Sequence, residues 1–360
     1  MKNFWHQLSQ PFVGLAPMDG VTDHPFRQMV CKYSSPDVVF AEFVNVEGLC
    51  HGAQRLLRPF IYHNSQRPIV AQLYGKTSDS FRQAALLVAY LGFDGVDINM
   101  GCPSKSVASG GSGAGLIQTP NLALEILDVV KKGAQDWFNG KNLEDCQDFD
   151  SDFMSHAKEL RQTIGLKPAE ELEQRELLPV SVKTRLGYEQ PELEDWLKVI
   201  LEAEPVALTI HGRTLKQAYR GQADWEVIGQ LAEYAHQVKS TTLIVGNGDI
   251  ESRKQAQQQA KKYHLDGVLI GRAAQGNPFV FNQDSSTVTP KKLAQVALEH
   301  AQLFEQTFSQ QEKYTFLPMR KHLAWYIRGV PQAKQIRQQL VRVNSSSEVK
   351  KILTDYQLLS

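Results

Sequence analysis

Several polar side chains lie within or just after short apolar runs of this sequence, in positions where they could take part in a reaction. They are a cysteine, a lysine and two amides. Cys102 follows Asn99 in DINMGCPSK, and a thiol held beside a developing carbanion can protonate carbon. Lys183 lies near the end of VSVKTR, where its charge could stabilise the anion of a reduced flavin ring. Gln72, in IVAQLY, offers a donor and an acceptor to ring carbonyl and N–H groups. Together these residues predict a redox site with its own proton donor.

A second group of residues is typical of a phosphate site. GNGDI contains Asn247, Gly248 and Asp249, and GRAAQGNP begins with Gly271 and Arg272. Glycines allow the backbone to approach a phosphate closely, and an arginine adds charge-assisted hydrogen bonds. Taken singly, each glycine could be a turn residue, but their combination predicts a phosphorylated ligand.

Two of these side chains, and the side chain of His211, also have an interpretation in which they only support the fold. Free cysteine is more often a small buried apolar residue, which is an alternative for Cys102. A lysine at a strand end can extend its ammonium group towards solvent, which is an alternative for Lys183. His211, which ends ALTIH, could be a core histidine with its hydrogen bonds satisfied rather than a ligand contact.

The elements that must position these residues are eight short apolar runs, most of them separated by stretches with helical periodicity. Runs of this kind are typical of buried parallel strands covered by helices. Eight of them predict an α/β fold, a (β/α)₈ TIM barrel, in which the strand ends meet on one face and carry the site. The runs are FVGLAPM, VVFAEF, IVAQLY, GVDINM, VSVKTR, ALTIHG, LIVGNG and GVLIGR.

The chain is longer than a typical barrel of about 250 residues, so we expect additional elements. A polar, acidic stretch at 133–178 predicts an insertion, within which 153–164 can form an amphipathic helix. After NQDSSTVTP the apolar positions recur at helical spacing. We therefore predict a catalytic barrel domain at 1–287 and a small all-helical C-terminal domain at 288–360.

Charge is segregated although the 360 residues have a formal net charge of zero. The acidic insertion carries about −6 and the segment from Lys291 onwards about +6. The basic segment could contact phosphates, although both segments could also be solvated faces. The sequence has neither an 18-residue apolar run nor an apolar N-terminal signal segment, so we expect a cytoplasmic protein without membrane contact.

The four cysteines argue against several other classes of protein. Cys31, Cys50, Cys102 and Cys146 are scattered without a CxxC pair, which disfavours an iron–sulfur cluster, a zinc site and a disulfide framework. We therefore expect no metal, and any special cysteine acts alone.

The motifs resemble those of the tRNA-dihydrouridine synthases, flavin enzymes that reduce particular uridines in tRNA. The resemblance covers the predicted barrel and extends into the helical region. It is carried by LAPMDGVTDHPFR, AQLYG, DINMGCPSKSV, VKTRLG, TIHGRT, VGNGDI, LIGRAAQGNPFVF and RKHLAWY. The combination of the GCP-x-K element with HGRT and GRAAQG is far more specific than a generic barrel pattern.

The resemblance implies a role for each matching residue. Cys102 would be the general acid, and NADPH (or NADH) would be the reductant of bound FMN. FMN would be bound by Pro17, Met18, Asp19, Gln72, Lys183, His211, Asn247, Gly248, Asp249, Gly271 and Arg272. The tRNA substrate would be bound by Asn99, Lys105 and Arg185 near the uracil and by Arg320, Lys321 and His322 in the helical region.

The resemblance also implies a reaction: hydride passes from reduced FMN to C6 of an extruded uracil, and Cys102 protonates C5. An alternative is a small-molecule FMN oxidoreductase of the dihydroorotate dehydrogenase type, which would not need the basic helical region. A second alternative is an RNA-binding protein without chemistry. We expect a monomer, and the sequence leaves open which uridine of tRNA would be modified.

Overall fold

The computed structural model describes residues 3–284, 288–311 and 313–359. Eight parallel strands form a closed barrel in chain order. Closure is made by β1 and β8, which pair from Phe12 opposite Gly267 to Leu15 opposite Ile270. The predicted (β/α)₈ barrel is thus confirmed. The strands are β1 (Phe12–Leu15), β2 (Val39–Asn45), β3 (Ile69–Tyr74), β4 (Gly95–Met100), β5 (Val180–Arg185), β6 (Ala207–His211), β7 (Leu243–Asn247) and β8 (Gly267–Ile270).

Helices surround the barrel and form the C-terminal region. Helix α7 continues from a π-helical turn at Leu193–Lys198, and short 3₁₀ turns occur in several loops. The helices are α1 (His24–Tyr33), α2 (Val46–Cys50), α3 (Ser78–Tyr90), α4 (Lys105–Ser109), α5 (Pro120–Phe138), α6 (Ser151–Thr163), α7 (Val199–Glu202), α8 (Trp225–Gln237), α9 (Arg253–Lys262), α10 (Pro290–Phe308), α11 (Leu317–Tyr326), α12 (Ala333–Leu340) and α13 (Ser346–Asp355).

The end of the barrel at which the strands begin is filled by apolar side chains. Trp5, on a 3₁₀ turn that precedes β1, is fully buried and contacts the rings of Phe12 and Phe40, with centroids 5.7 and 6.2 Å away. Val70 and Leu269 belong to the same cluster of buried side chains. With that end filled, the polar residues at the carboxyl ends of the strands are left to form a cavity at the opposite end.

The C-terminal region is helical, as predicted, and has a hydrophobic core of its own. Phe304, Met319, Leu323 and Leu353 are buried there between α10, α11 and α13. The region packs on α1, where Glu299 accepts hydrogen bonds of 2.6 Å from both Lys32 and Tyr33. The boundary predicted between 287 and 288 falls beside residues 285–287, which lie outside the described residues.

The acidic stretch at 133–178 begins as part of a barrel helix. Because α5 continues to Phe138, residues 133–138 belong to that helix and not to an inserted loop. Gly133 lies where α5 crosses α3, and a Cβ atom there would be 2.3 Å from the carbonyl oxygen of Arg82. Beyond α5, the Asp150 carboxylate caps the N-terminus of α6 by accepting the Phe153 N–H, which gives the amphipathic helix expected at 153–164.

Candidate active site

A cavity of about 1390 Å³ opens at the carboxyl ends of the strands. Its size and position fit the rule that barrel sites are built from the loops that follow the strands. Most of the residues predicted for the site, although far apart in sequence, come together in its lining: Pro17, Met18, Asp19, Gln72, Asn99, Cys102, Lys183, Arg185, His211, Asn247, Gly248, Asp249, Gly271 and Arg272.

The three residues predicted in the helical region do not line this cavity, and they differ among themselves. The Arg320 guanidinium donates to the carbonyl oxygens of Val343 and Arg342 within the helical region. Lys321 is exposed, and its Nζ would lie 3.0 Å from a Cβ atom placed on Gly20, in the loop after β1.

The prediction that His322 contacts tRNA is not supported, because the residue is only 1% exposed. Its ring packs against Phe26 and His300, with centroids 5.5 and 4.9 Å away. Successive residues of an α-helix point about 100° apart, so neighbours on α11 cannot all face the same surface. His322 therefore packs between the barrel and the helical region and does not contact RNA in this conformation. The side chain of Lys105, also predicted as a substrate contact, lies outside the described residues.

The loop that carries Cys102 is fixed by the Asn99 side chain. Asn99 Oδ1 accepts the backbone N–H groups of Gly101 at 3.0 Å and of Cys102 at 2.9 Å. The Cys102 side chain is nearly enclosed, at 8% exposure. Burial raises the pKa of its thiol above the ordinary value, so the sulfur keeps its proton at neutral pH. Cys102 can therefore act as a proton donor towards the cavity.

Two cations lie beside this loop. The Lys183 ammonium is 3.2 Å from Asn247 Oδ1, and burial, with a contribution from Arg185, lowers its pKa to about 8. Arg185 donates to the carbonyl oxygens of Gly101 at 2.8 Å and of Ala218 at 3.0 Å. Arg185 thus joins the Cys102 loop to the loop after β6, whereas Lys183 keeps donor capacity for a ligand.

A cluster of three charged side chains lies on the other side of the cavity. The Asp249 carboxylate accepts from Arg213 Nη2 at 2.6 Å and from Arg272 Nη2 at 2.8 Å. Arg213 is 2% exposed, and within the described ranges its Nη1 has no hydrogen-bond partner. Because a buried donor without a partner is costly, Nη1 is suited to bind an anion. Asp249 would act on that anion through the arginines, since its own carboxylate would repel a phosphate.

The backbone beside this cluster forms a shallow cradle. Gly248 has φ +132°, a conformation that favours glycine, and a Cβ atom there would lie 2.7 Å from the Cβ of Ala223. A Cβ atom on Gly271 would be 3.7 Å from Met18 Sδ. Glycine at both positions keeps this surface open. With Arg213 and Arg272 adjacent, the cradle has the chemistry of a phosphate site.

His211 lies between the two sides of the cavity. Burial, and then the charges of Lys183, Arg185 and Arg213, lower its pKa well below the ordinary value, so the imidazole is neutral at physiological pH. Its buried Nδ1 atom has no hydrogen-bond partner among the residues that the structure describes. A ligand ring with a polar edge would supply the missing partner.

The loop after β6 contributes two further side chains to the lining. Arg213 stands two residues beyond the end of β6, within the HGRT motif. Tyr219 is 57% exposed, and the guanidinium carbons of Arg185 and Arg272 lie 5.8 and 5.2 Å from its ring centroid. Because Tyr219 lies in the middle of a loop, no strand end or periodicity marks it in the sequence.

Within residues 3–284, 288–311 and 313–359, the His, Cys, Asp and Glu side chains do not form a group of three or more that could hold a metal ion. None of the helices in these ranges has both the length and the apolar character that crossing a bilayer requires.

Comparison with known proteins identifies the family. The model of the dihydrouridine synthase (Dus) family matches residues 14–136 and 166–359. A protein from Staphylococcus aureus (strain COL) named "Probable tRNA-dihydrouridine synthase" is 34% identical over 359 residues, which are 99% of this chain and 96% of that protein. "Probable tRNA-dihydrouridine synthase 2" from Bacillus subtilis (strain 168) is 33% identical, with 99% and 97% covered.

Among solved structures, morphinone reductase in complex with tetrahydroNAD aligns with a TM-score of 0.43 and 13% identity, over 76% of this chain and 85% of that one. The two parts of the family match leave 137–165 unmatched between them. That gap falls within the acidic stretch, outside every cavity residue described above. By its matched segments and its relatives, this chain belongs to the dihydrouridine synthase family.

Proposed function

We propose that this protein reduces uridines of tRNA to 5,6-dihydrouridine in the cytoplasm, with FMN as its cofactor and NADPH (or NADH) as the reductant. The proposal is supported by one cavity that holds both the Cys102 thiol, whose pKa burial raises, and a glycine and arginine cradle suited to phosphate. Membership of the dihydrouridine synthase family supports the choice of reaction.

The residues of the cavity fit FMN. Arg213 and Arg272, with the open backbone at Gly248 and Gly271, would bind the phosphate. His211, whose Nδ1 atom needs a partner, together with Gln72 and Lys183, would bind the ring system. Pro17, Met18 and Asp19 would line it on the side of β1. When bound, FMN would carry hydride from the nicotinamide to C6 of the uracil.

The protein's own groups would direct the second half of the reduction. Cys102 would donate its proton to C5 of the uracil, because burial raises the pKa of the thiol and keeps it un-ionised at neutral pH. Lys183 would offset negative charge on the ring ligand. Asn99 and Arg185 would orient the uracil, and both already hold the backbone of the Cys102 loop.

The helical region supports tRNA, rather than a free pyrimidine, as the substrate. Lys321 lies beside the loop after β1 that also contributes Met18 and Asp19 to the cavity. A base must leave its stack to reach such a cavity, and phosphate contacts with a basic surface would hold the rest of the RNA. A small-molecule oxidoreductase would have no use for these contacts. We propose that the protein acts as a monomer.

The test is to map dihydrouridine by mass spectrometry in tRNA from a strain that lacks this gene. We expect one or more dihydrouridines to be missing, to return with a plasmid copy of the wild-type gene, and to stay missing with Cys102→Ala. Unchanged dihydrouridine at every position in the deletion strain would contradict the proposal.

A further inference from the structure

A chain of hydrogen bonds connects the Asp97 carboxylate, in the barrel interior, to the Cys102 loop. Asp97 lies on β4, in register with Gln72 on β3 and with Ser181 on β5, and it is fully buried. Its two oxygens accept from Gln72 Nε2 at 2.7 Å and from Ser181 Oγ at 2.6 Å. A buried carboxylate with two donors has its hydrogen-bonding needs met. Because an ionised carboxylate only accepts hydrogen bonds, each neighbouring side chain must turn a donor towards it.

The direction of each amide follows from the charge of Asp97. A carboxylate only accepts, so Gln72 must turn its NH₂ group towards Asp97. The carbonyl oxygen of Gln72 then faces Asn99 and accepts from Nδ2 at 2.9 Å. This leaves Asn99 Oδ1 to accept the N–H groups of Gly101 and Cys102. If either amide were flipped, donor would face donor, or acceptor would face acceptor, along the chain.

We propose that Asp97 is a positioning residue, whose carboxylate selects one orientation for the Gln72 and Asn99 amides and thereby holds the Cys102 loop in place over the cavity. The catalytic importance of this role rests on the function proposed above, whereas the relay itself is a property of the protein alone. Asp97 does not line the cavity, so it acts through the two amides that do. The same carboxylate also favours the charged form of Lys183.

The relay can be reversed by exchanging the chemical types at its two ends. In Asn99→Asp, both ends of the relay are carboxylates, which only accept hydrogen bonds. The Gln72 NH₂ group can face only one of them, so the Gln72 carbonyl oxygen must face the other, acceptor against acceptor. In the double variant Asp97→Asn with Asn99→Asp, Gln72 can flip, donate to residue 99 and accept from residue 97, while the Ser181 hydroxyl still has an acceptor. Both substitutions are nearly isosteric, so packing changes little.

Hydrogen exchange of the peptide that contains Gly101 and Cys102, followed by mass spectrometry, reports the loop directly. The measurement is made at pH 8, because burial raises the pKa of Asp97 to about 6 and the carboxylate must be ionised. We expect Asn99→Asp to exchange faster than wild type by about tenfold, because repulsion by the Gln72 carbonyl oxygen displaces the new carboxylate from the loop N–H groups, a loss comparable to one hydrogen bond. We expect the double variant to return to within about threefold of wild type, because a relay restored in reverse recovers most of that same hydrogen-bond energy.

Two further variants separate orientation from packing. Asp97→Asn alone is a control for packing at residue 97. Its amide oxygen can still accept from Gln72, as the carboxylate does, while the Ser181 hydroxyl rotates to accept from the new NH₂ group. Exchange of the loop should therefore stay near the wild-type rate. Ser181→Ala removes a bond to Asp97 but leaves Gln72 in place, so it is the matched control with a protected loop.

The proposal is overturned if the double variant exchanges as fast as Asn99→Asp, or if Asn99→Asp leaves the loop as protected as in wild type. Exchange needs neither tRNA nor uridine reduction, so a failure of the proposed function would show as absent dihydrouridine with the exchange pattern intact. If the function holds, dihydrouridine formation by the double variant should also recover relative to Asn99→Asp.

Discussion

The two sides of the cavity hold their side chains by different means. On the side of β6 to β8, Arg213 and Arg272 share the Asp249 carboxylate, so position is set by charge and donors remain for an anion. On the side of β3 to β5, the neutral amides of Gln72 and Asn99 set the direction of hydrogen bonds around Cys102. Substitutions that remove a side chain on the charged side should therefore weaken ligand binding. Losses on the thiol side should impair chemistry while the ligand stays bound.

The largest effect should come from the thiol side. We expect Cys102→Ala to form dihydrouridine at least about 100-fold more slowly than wild type, because a positioned general acid contributes about 10²–10⁴ to rate. Its FMN content should equal that of wild type. The measurement is initial rate with purified protein, NADPH and tRNA from the deletion strain.

The matched control is Cys31→Ala, which changes a cysteine that does not line the cavity. It should retain the wild-type rate. A Cys102→Ala variant as fast as wild type would remove the thiol from the mechanism and erase the difference between the two sides.

On the charged side, we expect Arg213→Ala to raise the dissociation constant of FMN by about 10- to 100-fold, the typical effect of losing hydrogen bonds to a charged group. Arg272→Ala, whose side chain is 55% exposed, should have a smaller effect because exposed charges interact more weakly. Fluorescence titration of the flavin-free protein measures both. Dihydrouridine formation by Arg213→Ala should return at saturating FMN.

Arg220→Ala tests whether charge alone explains such a loss, because Arg220 lies on the same loop but does not line the cavity. Its FMN affinity should match that of wild type. An equal loss of FMN affinity in Arg213→Ala and Arg220→Ala would argue against a localised phosphate site.

The rate of FMN reduction should depend on pH through Lys183, which lies between the two sides of the cavity. Burial lowers the pKa of Lys183 to about 8, so its ammonium loses charge as the pH rises through that value. We expect FMN reduction by NADPH to slow above pH 8 by nearly tenfold per pH unit where the charge is required. In Lys183→Arg this decline should disappear below pH 10, because arginine stays charged. A rate that is flat from pH 7 to 9.5 in wild type would contradict the role of Lys183.

The smallest effect should come from the helical region. We expect Lys321→Ala to weaken tRNA binding by a few fold and to lower the salt dependence of binding by about one unit of slope, as loss of one phosphate contact does. Filter binding at several salt concentrations measures it, with Lys239→Ala on the barrel surface as the charge-matched control. An unchanged slope would remove Lys321 from the RNA interface.

Much of the cavity could be predicted from the sequence because parallel strands end on one face. Lys183 and Asn247, for example, lie on different strands and are recognisable in the sequence only as polar residues near the ends of apolar runs. The barrel nevertheless places Lys183 Nζ 3.2 Å from Asn247 Oδ1. Tyr219 escaped prediction because a loop interior has no periodicity. His322 was misassigned because the resemblance assigned three consecutive residues to one tRNA surface, whereas a helix distributes consecutive residues around its axis.

The role of Cys102 as proton donor can be tested by determining where the proton added to the uracil comes from. Purified wild-type protein, loaded with FMN and supplied with NADPH, is incubated in deuterated water with tRNA from the deletion strain. We expect dihydrouridine with a solvent deuterium at C5, since the Cys102 thiol exchanges with solvent, and almost no product from Cys102→Ala. Absence of dihydrouridine with wild-type protein, or equal product from the two proteins, would contradict it.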